Sequence, residues 1–131
     1  MVIVDTTVWV DYFRDVRTPH TEWLHHELER QLLGIGDLIL CEVLQGIGDE
    51  EQARETQRQL MTLGIVRMGG IRTAVAAARN YRMLRARGRT VRKTIDCLIA
   101  TACLLEGNSL LHCDHDFDAF EHFLGLRVVH P

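Results

Sequence analysis

The 131-residue sequence predicts an α/β fold with a mostly parallel central sheet of about four to five strands, flanked by helices. Two observations carry this. Short apolar runs alternate with longer helical patterns, which favours strand–helix–strand units around a parallel sheet. Two of those runs, "VIV" and "SLLH", are followed by an acid at what would be the carboxyl ends of strands, the edge where ligand crevices form in such sheets.

Taken in order, Val2–Val4 read as a short buried strand, since three apolar residues leave no polar face. Asp5, Thr6 and Thr7 follow, each a candidate cap for a helix through Val8–Phe13. A second helix begins with Thr18 as cap and Pro19 at its first position, and is expected to run to Gly34. Ile35 then reads as a very short strand, Asp37 as a cap, and 38–46 as a helix containing Glu42. The next helix covers roughly 49–63, with Asp49, Glu50 and Glu51 well placed in its first turn. "IVRM" (65–68) is a strand, and Gly69–Gly70 lead into a long helix, 71–87, stopped by Gly88. A further helix, about 95–106, closes at Gly107. "SLLH" (109–112) is a strand, "DHDFDAFEHF" a loop with a short helix, and "RVV" (127–129) a last strand.

Length, a 47% apolar share and 25% charged residues suit one domain, 1–131, with one core. There is no leader-like segment, and the longest apolar run, "CLIATACLL", is too short to span a bilayer, so a cytoplasmic protein with no membrane partner is expected. Cys41, Cys97, Cys103 and Cys113 form no CxxC pair and read as reduced, mostly buried thiols, Cys113 among the core. His112, Cys113 and His115 lack zinc-ligand spacing, and the two histidines are read as lining or flanking a site.

The acids are the informative residues. Asp5 and Asp114 fall at strand ends, and Asp96 opens an otherwise apolar helix. Glu42 is embedded in "LILCEVL", where an unpaired carboxylate is costly without a cation, a proton or an active role. If the four converge, mutual repulsion raises their pKa values, and a divalent cation relieves it. All-oxygen ligands suit Mg²⁺ or Mn²⁺.

"VIVDTTVWVDYF", "LILCEVLQG", "TIDCLIATACLLEG" and "LLHCDHDFDAF" together resemble the successive motifs of PIN-domain ribonucleases, and most of all the VapC-type toxins of toxin–antitoxin modules. The resemblance covers essentially the whole chain. It implies a metal-dependent endoribonuclease with Asp5, Glu42, Asp96 and Asp114 as metal-binding catalytic acids. Thr7 matches a hydroxyl that orders the site, and Asp116 a further acid that reaches the metal directly or through water. Asp5 then serves as a ligand, with Thr6 or Thr7 taking over the cap. The resemblance also implies a homodimer, a VapB-type antitoxin and an RNA target such as tRNA or ribosomal RNA loops. The rival readings are a catalytically silent RNA-binding module of the same fold and a HAD-like phosphatase. The phosphatase needs an acid where Thr7 stands.

Charge is unevenly spread. Residues 1–55 hold twelve acids and four bases, residues 56–95 ten bases and no acid, and residues 96–131 six acids against Arg127. Such asymmetry points to an anionic partner. On a helical period Arg72, Arg79 and Arg82 share one side, beside an apolar stripe of Ile71, Ala74, Ala78 and Tyr81, and are the candidate RNA contacts. Trp9, Tyr12, Phe13, Trp23 and Leu24 are either core or an interface groove. His25 and His26 are expected at the surface.

Overall fold

The computed structural model describes residues 1–131. The chain runs β1 (Val2–Val4), α1 (Thr6–Phe13), α2 (Pro19–Glu27), β2 (Leu33–Gly36), α3 (Asp37–Gln45), α4 (Glu50–Leu60), β3 (Gly64–Val66), α5 (Ile71–Ala86), α6 (Thr94–Glu106), β4 (Ser109–Leu111), a 3₁₀ turn (His115–Phe117) and α7 (Asp118–Leu124). The four strands form one parallel sheet in the order β3-β2-β1-β4. Strand order reverses between β1 and β4, so the crevice beyond their carboxyl ends is the topological switch point of the sheet.

Burial explains the order. Ile3, Val4, Leu33, Ile35, Leu110 and Leu111 are fully or almost fully buried and join one core with Ile39, Ile99, Phe117 and Phe120. Helix α6 is the most deeply buried helix, with seven consecutive or near-consecutive positions from Asp96 to Cys103 inside, and α5 packs along it.

Several expectations change. The second helix stops at Glu27 rather than near Gly34, because Leu33 and Gly34 are needed as ladder partners of Val2 and Ile3. Gly34 sits where any Cβ would strike the Ile3 side chain, so the glycine serves close strand packing and not a helix end. Gly36, not Asp37, is the residue flanking α3. The Asp37 carboxylate instead accepts from the Leu38 amide at 2.9 Å and from the Met68 amide at 2.8 Å, tying α3 to the exit of β3. The expected last strand is reduced to a single parallel bridge between Leu110 and Val128.

On α5 the buried face is Thr73, Ala77 and Leu84. Ile71, Ala74 and Ala78 face solvent, and only Tyr81 of the expected apolar stripe is partly covered. The face buried against the core carries Ala77 and Leu84, and Asn80 at its edge donates to the Thr101 hydroxyl of α6 at 3.0 Å. Trp9 and Leu24 are core, Tyr12 and Trp23 half-buried, and Phe13 is exposed, stacked on Trp9 at 5.7 Å. His25 and His26 are exposed. All four thiols are free, but Cys41 and Cys113 are exposed; Cys113 lies past the end of β4, outside the core. No helix is long and apolar enough to cross a membrane.

Candidate metal centre

Asp5 leaves β1 with its amide still bonded to the Leu111 carbonyl at 2.9 Å, so its position is set by the β1–β4 ladder. It is also the cap of α1: its Oδ2 accepts from the Thr7 amide at 3.2 Å and from the Thr7 hydroxyl at 2.8 Å. The expectation that Thr6 or Thr7 relieves Asp5 of capping is therefore corrected. A cap uses one oxygen and one local amide, which leaves the other oxygen of the carboxylate free. Thr7 Oγ in turn accepts from the Cys113 amide at 3.2 Å, fastening the loop after β4 to the start of α1. Thr6 donates to Glu42 Oε1 at 2.7 Å, drawing the α3 carboxylate toward the same crevice.

Asp96 lies in the first turn of α6 and is only 4% exposed. Its Oδ2 is buried with no hydrogen-bond partner at all. Asp114 caps the 3₁₀ turn by accepting from the Asp116 amide at 2.9 Å, while its own amide donates to His112 Nδ1 at 3.1 Å. Carboxylate oxygens of Asp96, Asp114 and Asp116 come within 4.8 Å of one another, close enough to share one cation. Asp116 thus belongs to the tightest group, while Asp5 and Glu42 stand beside it, near enough for their charge to act on Asp96.

The electrostatics show the strain of this arrangement. Burial pushes Asp5 from the usual 3.8 up to about 6, partly opposed by the Thr7 hydrogen bonds and aided by Glu42. Asp96 rises to about 6 as well, through burial first and then the charges of Asp5 and Asp114, with Lys93 pulling the other way. An orphaned carboxylate oxygen, two elevated acids and an all-oxygen donor set fit a hard divalent cation.

Arg72, Arg79 and Arg82 are not part of this group. They are exposed on α5, and Arg72 pairs with Glu106 at 3.4 Å, at the other end of α6 from Asp96. The cation that bonds to the acids is Arg92, which donates to both oxygens of Asp116 at 3.0–3.2 Å. In the sequence Arg92 counts only as one of the ten bases of residues 56–95; the signal for its place at the acids is its position four residues ahead of Asp96, in "RKTID". His112 flanks the group as expected. It is buried against Phe117, with ring centroids 4.9 Å apart, and burial lowers its pKa. Because Nδ1 accepts from the Asp114 amide, the ring is the neutral tautomer with its proton on Nε2. Cys113 and His115 are both exposed, and His115 pairs with Asp118.

Comparison with known proteins agrees with this architecture. The PIN domain matches residues 2–122. A VapC ribonuclease of Mycobacterium bovis and ribonuclease VapC11 of Mycobacterium tuberculosis are each 30% identical over 131 residues, spanning 98% of both chains. Among solved structures, VapBC2 of Rickettsia felis superposes with a TM-score of 0.77 at 16% identity, covering 98% of each chain. FitAcB of Neisseria gonorrhoeae does so at 0.77 and 15%, over 100% of this chain and 98% of that one. VapBC-5 of Mycobacterium tuberculosis, from the VapBC family of toxin-antitoxin systems, scores 0.69 at 18%, covering 98% of this chain and 97% of that one. With the matching motifs spread from β1 to α7 and the acids gathered at the switch point, the chain belongs to the PIN domain family, in its VapC group.

Proposed function

We propose that this chain is a metal-dependent endoribonuclease that hydrolyses RNA phosphodiester bonds, the toxin of a toxin–antitoxin pair. Residues 1–131 act as one domain, in the cytoplasm and as a homodimer. The observation that carries the reading is the group of Asp96, Asp114 and Asp116, with the Asp96 Oδ2 buried and unpartnered beside Asp5. The VapC ribonucleases that match along their length support RNA as substrate, and the VapBC complexes support a VapB-type antitoxin as partner. tRNA or ribosomal RNA loops are the expected targets, since a recessed acidic crevice admits an unpaired strand more readily than a duplex.

Asp96, Asp114 and Asp116 would hold Mg²⁺ or Mn²⁺, with Asp5 and Glu42 completing the negative charge around it. When bound, such an ion withdraws charge from a phosphoryl oxygen and makes water a stronger nucleophile near neutral pH. The side chains do the positioning. Thr7 fixes one oxygen of Asp5, and Thr6 fixes one of Glu42, which leaves each carboxylate with a second oxygen to orient water or accept its proton. The Asp114 cap and the Thr7–Cys113 link hold the loop after β4 in register with the end of β1. The phosphatase alternative falls with the fold family, and also because Thr7 puts a hydroxyl where a second acid is required.

The test is purified protein, freed of antitoxin, acting on total RNA with Mg²⁺ or Mn²⁺ against EDTA, beside Asp5→Asn and Asp96→Asn. Metal-dependent cutting lost in both variants is the expected result. RNA retained on the protein but never cut, with all acids present, would establish the silent binding module instead.

A further inference from the structure

The arginine-rich stretch falls into two groups. On α5, Arg72 forms an exposed pair with Glu106, and Asp96 lies ten residues earlier on α6, about 15 Å along the helix axis at ~1.5 Å per residue. Beyond α5 the chain turns at Gly88, whose φ of 76° is left-handed. That turn brings Arg87 and Arg89 together on one ring: their guanidinium carbons lie 5.2 and 5.8 Å from the centroid of Phe123. Neither arginine is paired with a carboxylate. Phe123 is on α7, which continues directly from the 3₁₀ turn bearing Asp116, and Arg92 binds Asp116 from the same loop as Arg89. A shallow cavity lined by Arg89, His122 and Phe123 lies alongside. The cavity also holds two acids, each bonded to a histidine: Asp118 to His115 at 2.9 Å and Glu121 to His130 at 2.7 Å.

We infer that the Arg87–Arg89–Phe123 surface, with Arg92 at its inner edge, holds the backbone of single-stranded RNA as it enters the acidic group. The inference rests on the ribonuclease reading and locates its substrate. An acidic crevice repels phosphate, so binding energy has to come from cations next to it. The guanidinium fork matches phosphate geometry, and a guanidinium already held over an aromatic ring gives up less freedom on binding. Arg87 and Arg89 meet both conditions; Arg72 has the fork but no ring beneath it, and it pairs with Glu106.

The experiment is fluorescence anisotropy of a short labelled single-stranded RNA with the full chain carrying Asp96→Asn, so that the strand survives. Adding Arg87→Gln with Arg89→Gln is expected to weaken binding at least tenfold near 0.1 M salt. The slope of log K against log salt is expected to fall by about 1.4, at ~0.7 per lost phosphate contact. Phe123→Leu keeps the apolar bulk but removes the ring, and is expected to weaken binding about two- to fivefold. The reverse ranking, with Arg72→Gln and Arg79→Gln weakening binding and the Arg87/Arg89 pair dispensable, overturns the inference. Cleavage assays on the otherwise unaltered chain separate the two levels. If it cuts RNA and the Arg87/Arg89 variant cuts with the same KM, the surface is wrong and the ribonuclease stands. If it neither binds nor cuts RNA, both fall.

Discussion

Arg92 and Asp116 form a two-pronged ion pair at 3.0–3.2 Å within the group of acids that also contains Asp96 and Asp114. The arginine is 76% exposed and the aspartate 13%, so the pair is half in water and screened. It nonetheless occupies a carboxylate that a divalent cation would share.

Arg92→Gln is therefore expected to tighten metal binding. Because the pair is exposed and screened, the gain is small, roughly two- to threefold in Kd. Calorimetric titration of the metal-free protein with Mn²⁺ measures it directly. A weaker Kd in the variant would mean that Arg92 orders Asp116 for the ion instead of competing with it.

The pH dependence of the metal-free protein has a definite sign. Asp5 and Asp96 titrate near 6 when folded and near 3.8 when unfolded, so the folded chain keeps protons that the unfolded chain releases. The resulting stabilisation is complete below 3.8 and lost as pH rises through 6. His112 acts oppositely, since burial favours its neutral form and costs stability below 6.5. The Asp96→Asn variant isolates the carboxylate. Between pH 4.5 and 7.5 in EDTA its Tm is expected to fall less steeply than that of the unaltered chain. Mg²⁺ is expected to raise the unaltered chain's Tm more at pH 7.5 than at pH 5.5.

Thr7→Val keeps the shape of the side chain but removes the hydroxyl that donates to Asp5 and accepts from the Cys113 amide. The expected cost is about 1–2 kcal/mol in chemical denaturation. RNA cleavage is expected to fall more than stability does, because Asp5 loses the bond that orients it. Thr7→Ser, which restores the hydroxyl, is expected to recover most of the activity.

A Cβ at Gly36 would collide with the sulfur of Met68, a residue buried completely. Gly36→Ala is expected to destabilise the fold by about 1–3 kcal/mol, as overpacking does. Met68→Ala added to it makes room, so a double-mutant cycle by urea denaturation is expected to show strong coupling. Additive effects would mean that β2 shifts to absorb the methyl group.

Much of the site was legible in the primary structure because its chemistry is local. Asp5 and Asp114 follow strands, Asp96 opens an apolar helix, and Glu42 is an acid among aliphatic residues; each anomaly is visible within ten residues. The strand–helix alternation and most helix ends were legible for the same reason, since caps and left-handed glycines such as Gly107 act over a single turn.

Contacts between distant segments were decided only by the folded chain. Gly34 reads as a helix stop until its pairing with Ile3 makes it a strand residue. The rotation of α5 depends on burying Ala77 and Leu84 in the shared core, and the choice of cation at the acids on the loop that brings Arg92 to Asp116. The same holds for the division of labour among the acids, where Asp116 joins the close group and Asp5 caps a helix while standing beside it. Periodicity and capping are properties of neighbours in sequence. Which faces meet is set by burying one shared core, and that summed free energy belongs to no single segment.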